Sequence, residues 1–113
     1  MEQETREYVT PEIEKRQHRR VKLLTGVRCE ALGREGVMVT RDISVGGMFV
    51  TEKDPFPADS LVSLSFRIAP TSPLFTCQGK VAYAIKGLGM GVMFSELSEE
   101  VRQAVQKFVD ESD

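Results

Sequence analysis

The stretch Phe75-Thr76-Cys77-Gln78-Gly79-Lys80-Val81-Ala82-Tyr83-Ala84-Ile85 decides how the chain folds. Phe75, Cys77, Gly79, Val81, Tyr83 and Ile85 fall at every second position, which places them on one face of a long extended strand. Lys86-Gly87 turns the chain, and Met90, Val92 and Phe94 resume the period of two. Upstream, Val62, Leu64, Phe66 and Ile68 alternate with Ser63, Ser65 and Arg67. Val27, Cys29 and Ala31 alternate with Arg28 and Glu30, and Val37 and Val39 alternate with Met38 and Thr40. Gly33-Arg34-Glu35-Gly36 reads as the turn between those two strands, and Met48-Phe49-Val50-Thr51 is again strand-like after Gly46-Gly47. Asp54-Pro55-Phe56-Pro57-Ala58-Asp59 is excluded from any central strand, because proline has no N–H for the ladder. About six short strands separated by turns predict a mainly β protein, a small barrel or sandwich spanning about residues 26–95.

The period changes at the end of the chain. Val101, Ala104, Val105, Phe108 and Val109 follow the spacing of one helix face, predicting a helix over about 98–110 that packs on the strands. Ser98 suits its N-cap, and Glu99 and Glu100 suit the positive end of its dipole. At the other end, Thr10-Pro11-Glu12 reads as a helix start within an acidic leader, residues 1–14. The 113 residues suffice for one core, assigned to 15–113. No apolar run approaches the roughly 20 residues of a spanning helix, and the N-terminus lacks the apolar stretch of a signal peptide, so a cytoplasmic protein without direct membrane insertion is expected. Cys29 and Cys77 stand 48 positions apart beside a single histidine, His18. They are expected to be small core residues or half-exposed thiols, and the spacing gives no basis for a metal site or cofactor. With no nucleophile–base pair in any motif, an enzyme is not expected.

Charge is unevenly distributed. Residues 1–14 carry five Glu and one Arg, and residues 95–113 carry six acids and two bases. Residues 15–94 hold twelve bases against six acids, five of the bases between Lys15 and Lys22. A basic centre between acidic ends points to an anionic ligand held at the centre. Aromatic residues fall mostly at core-phase positions and there is no Trp, which argues against a nucleic-acid barrel.

Two motifs lie in the basic centre. Arg16-Gln17-His18-Arg19-Arg20 is an RxxxR, common by chance in so arginine-rich a chain. Asp42-Ile43-Ser44-Val45-Gly46-Gly47 is a DxSxxG, a far rarer pattern. Asp42 and Ser44 share a face if extended, and they equally suit an Asx or Ser turn before Gly46-Gly47.

With RxxxR before the first strand, DxSxxG after the second, and Gly89-Met90-Gly91-Val92-Met93-Phe94 leading into a helix, the chain resembles the PilZ domain family from about Lys15 to Val109. The resemblance implies a six-stranded antiparallel β-barrel with a C-terminal α-helix and a flexible basic N-terminal segment. It implies a receptor for the bacterial second messenger cyclic di-GMP. The chemistry of the residues agrees. A guanidinium can bridge guanine O6 and N7 or pair with phosphate, which suits Arg16 and Arg20, while Arg19, off their shared face if the segment is extended, would meet phosphate or a second ligand molecule. A carboxylate can accept from guanine N1 and N2, which suits Asp42. Ser44 can meet a phosphate or base. Gly47, and with it Gly46, would let the backbone approach the ligand or take positive φ. Met90, ahead of Gly91, is either core or a guanine contact. Tyr83 and Phe75 are expected in the core or against the helix rather than as stacking platforms. Ligand binding is expected to order the arginine segment, with the output passing to an unidentified downstream protein. The competing expectation is a PilZ-fold interaction module that binds no nucleotide.

Overall fold

The computed structural model describes residues 19–112. Arg16, His18 and the acidic leader lie outside the described residues. Seven strands are formed: β1 (Val21–Lys22), β2 (Gly26–Ala31), β3 (Arg34–Ser44), β4 (Gly47–Thr51), β5 (Leu61–Phe66), β6 (Phe75–Ile85) and β7 (Gly89–Glu96). One helix follows, α1 (Glu99–Glu111). The order across the sheet is β1-β3-β2-β5-β6-β7-β4, all neighbours antiparallel, and β4 pairs back onto β3. Six strands therefore close into the predicted barrel, and the two-residue β1 is an addition on the flank of β3.

The period-two pattern becomes the barrel's inside. Val27 and Cys29 on β2, Val62, Leu64 and Phe66 on β5, and Val81 on β6 are buried in one cluster. Phe75, Cys77, Met90 and Val92 join it from the last two strands. Phe56, from the proline-rich segment that forms no strand, is 2% exposed and belongs to the same cluster. α1 adds Val101, Val105 and Val109. Its N-cap is Ser98, whose hydroxyl accepts from the Val101 N–H at 3.2 Å. That bond satisfies one of the helix's orphan donors and is worth about 1 kcal/mol.

The β2–β3 turn lies earlier than its sequence implied. Leu32 and Gly33 both take positive φ, 55° and 73°, while Arg34 and Glu35 already pair with Ala31 and Glu30. Two central residues at positive φ make a tight hairpin whose twist matches its strands. The four-residue window Gly33–Gly36 was too late because Leu32 gives no turn signal.

Both cysteines are free, buried thiols. Burial pushes Cys29 up to about 12, with the Glu52 carboxylate adding to the rise, and burial pushes Cys77 up to about 11. An unfolded thiol ionises near pH ~8.5. The unfolded chain therefore loses these protons first, so this contribution to stability is complete below about pH 8.5 and is lost as pH rises toward 11–12. At pH 8 neither thiol should react with a disulfide reagent until denaturant is added. Rapid labelling of the native protein would show that burial does not protect them.

Candidate functional site

β3 carries a bulge that decides the site. Thr40 pairs with Val50 and Asp42 with Phe49, so Arg41 is an extra residue opposite one partner position. Thr40 and Ile43 both face the core, fully buried, and the inserted residue turns Arg41 and Asp42 together toward the outside. Thr40 also anchors the entering chain. Its hydroxyl donates to the Leu23 carbonyl at 2.5 Å and accepts from the Thr25 N–H at 3.0 Å. The Leu23 N–H donates to the Arg41 carbonyl at 3.1 Å, and the Thr40 N–H donates to the Thr25 carbonyl at 2.9 Å. These bonds hold Val21–Thr25 against the bulge and fix where Arg20 emerges.

Arg20 Nε and Nη2 donate to Asp42 Oδ1 at 2.9 and 2.7 Å. Arg41 Nε donates to Asp42 Oδ2 at 3.2 Å. The Arg41 guanidinium lies 4.0 Å from the centroid of the Phe49 ring. These groups border a cleft of about 340 Å³ on the outside of the barrel, whose other wall is Ala82, Tyr83, Gly91 and Met93. Gly46 and Gly47 line it as well.

The glycines act by close approach. A Cβ on Gly91 would fall 2.3 Å from the Tyr83 ring, so its absence lets Tyr83 lie across β7. A Cβ on Gly47 would fall 2.1 Å from the Val92 carbonyl oxygen, so only glycine lets β4 meet β7 there. Neither Gly46 nor Gly47 takes a positive φ, and the close approach that Gly47 allows is that of β4 to β7.

The structure brings Arg20, Asp42, Gly46, Gly47 and Gly91 together around the cleft. Ser44 lies under its rim. It is 1% exposed, and its hydroxyl accepts from the N–H groups of Gly46 and Gly47 at 3.1 and 3.2 Å. It closes the β3–β4 hairpin as a Ser turn. Two expected residues are elsewhere. Arg19 donates to the Val109 and Ser112 carbonyls at 3.2 and 2.6 Å. There it supplies the positive charge that the last turn of α1 lacks, while its neighbour Arg20 bonds Asp42. Met90 is fully buried inside the barrel, and Met93, on the other face of β7, lines the cleft in its place.

Arg41, Phe49, Tyr83 and Met93 were not expected at the site. Tyr83 belonged to the core by its phase. A second bulge, at Ala82 between the Val81–Val92 and Tyr83–Gly91 pairs, reverses its face and leaves it 45% exposed. The adjacency of Arg41 to Asp42 was the one visible signal for that arginine.

Residues 14–111 match the PilZ domain family. The chain belongs to the PilZ domain family. No curated protein sequence matches it. Its PilZ barrel resembles the Bacillus subtilis inhibitor of motility MotI/DgrA, with a TM-score of 0.75 and 18% identity over 83% of this chain and 49% of that one. This chain thus spans about half the length of MotI/DgrA. The PilZ domain of YcgR from Escherichia coli, solved with c-di-GMP, gives 0.70 and 12% identity, covering 85% of this chain and 89% of that one. The Borreliella burgdorferi PlzA protein, in complex with c-di-GMP, gives 0.61 and 15% over 87% and 44%. At these identities the likeness is one of fold. Among the described residues, no helix of this PilZ chain is long and apolar enough to cross a membrane.

Proposed function

We propose that this PilZ domain is a non-catalytic cytoplasmic receptor for cyclic di-GMP that passes the signal to a partner protein. The observation that carries the reading is Arg20 held on Asp42 at the edge of the cleft. One group is chemically matched to guanine O6 and N7 or to phosphate, the other to guanine N1 and N2. In the free protein they satisfy each other. A ligand with two phosphates and two guanines can take both, exchanging an exposed ion pair for charge-assisted bonds to itself. Arg16, four residues ahead of Arg20 and outside the described residues, is expected to join on binding. The family, and two similar barrels solved with c-di-GMP, support the choice of nucleotide.

Calorimetric titration of cyclic di-GMP, beside GMP and GTP, tests the reading. Saturable heat with cyclic di-GMP alone is expected, and at a hundredfold excess over Kd the ligand should add about 2.7 kcal/mol of stability. Absence of both heat and thermal stabilisation would remove the receptor function and leave a barrel that works through its surface alone.

A further inference from the structure

We propose that Arg41 and Tyr83, which belong to neither motif, form the stacking surface on which a guanine of the ligand lies. This rests on the receptor reading above and assigns the groups that grip the face of the base, where Asp42 would read its edge.

Two departures from regular pairing carry the argument. The bulge in β3 aims Arg41 outward, and the bulge in β6 aims Tyr83 outward. These strands stand on either side of β4 and β7, so the two side chains converge on one outer surface. A strand that served only the core would need neither bulge, because the unbroken alternation of β6 would bury Tyr83 with Val81.

The surface beneath them is aromatic and already covered. Phe49 points out of the barrel, yet it is 2% exposed. Arg41 lies over its ring at 4.0 Å, and Tyr83 flanks it with ring centroids 6.3 Å apart and planes tilted by 35°. Gly89 and Gly91 keep the neighbouring positions empty: a Cβ would stand 2.8 Å from the Phe49 ring and 2.3 Å from the Tyr83 ring. Arg41 therefore sits over Phe49 while lining the cleft, with its side chain 54% exposed. Guanidinium planes and tyrosine rings are the two side-chain surfaces on which purines stack. Arg41 Nε is also bonded to Asp42 at 3.2 Å, which fixes the stacking plane beside the carboxylate. A base lying on Arg41 would present its edge to Asp42. Guanine offers two donors there, and adenine does not match, so the arrangement selects guanine.

The chain offers its own reporter. It has no Trp and two tyrosines, so Tyr8→Phe leaves Tyr83 as the sole source of tyrosine fluorescence. Cyclic di-GMP should quench that emission saturably, with the same midpoint as the calorimetric curve, while cyclic di-AMP should not. Arg41→Ala and Tyr83→Ala should each weaken binding about tenfold. Arg41→Lys should weaken it as much as Ala, since charge stays and the plane is lost, and Tyr83→Phe should recover most of what Tyr83→Ala loses. Tight cyclic di-GMP binding with unchanged fluorescence and wild-type affinity in both alanine variants overturns the stacking surface and leaves the receptor standing. No cyclic di-GMP binding by the wild-type protein overturns the receptor and the stacking surface together.

Discussion

Arg20→Ala is expected to weaken cyclic di-GMP binding about a hundredfold while changing folding stability by less than about 1 kcal/mol. The two effects separate because the same guanidinium does different work in the two states. In the free protein its pair with Asp42 is open to water, with side chains 41% and 21% exposed, and such pairs contribute between zero and about 1 kcal/mol. In the complex the guanidinium would make two bonds to a desolvated ligand, each worth about 1.5–3 kcal/mol. Releasing it from Asp42 offsets a small part. Titration of the variant gives the first number and urea denaturation the second. Wild-type affinity in Arg20→Ala would place the ligand away from this cleft.

Gly47→Ala is expected to cost more than about 3 kcal/mol. The atoms its Cβ would meet are all backbone: the Val92 oxygen at 2.1 Å, the Val92 carbonyl carbon at 3.1 Å and Met93 Cα at 3.2 Å. No side chain can swing aside, so β4 and β7 must part. That seam belongs to the closed ring, held beside Gly47 by the Phe94 N–H donating to the Gly46 carbonyl at 2.9 Å. Gly91→Ala provides the contrast. Its Cβ meets only the half-exposed Tyr83 ring, which can rotate away, so the loss should stay near 1 kcal/mol. Urea midpoints compare the two variants, and a Gly47→Ala midpoint at or above that of Gly91→Ala would refute the seam argument.

Periodicity was a sound guide on β2, β5 and α1, but on β3 it picked the wrong face, since Met38 and Thr40 are buried while Val37 and Val39 stand 65% and 50% exposed. Val62, Leu64 and Phe66 are inside as their alternation requires, and Val101, Val105 and Val109 form the buried stripe of α1. It also failed at the bulges. One inserted residue reverses every later side chain, and neither Arg41 nor Ala82 carries a local preference that announces an insertion. Tyr83 was therefore assigned to the wrong face, and Arg41 and Phe49 escaped notice. The site was legible to the extent that it rests on residue chemistry. Arg20 and Asp42 meet, while Ser44 is engaged by the turn it also promised. Arg19 could not be placed by spacing alone, because its destination, the end of α1, lies 90 positions away.

Ring closure by β3 limits how another molecule can recognise this barrel. β3 gives one half of its length to β2 and the other to β4, so the sheet returns upon itself. Among the described residues, the two-residue β1 is the one strand paired on a single side. Recognition by strand addition, which needs several free N–H and C=O groups in a row, is confined to short stretches such as Arg34–Met38 and Ala82–Ile85, where β3 and β6 have one partner strand each. Under the proposed receptor function, a partner that distinguishes the liganded barrel from the empty one would read side chains and shape, which are what would change if arginines exchanged partners at the cleft.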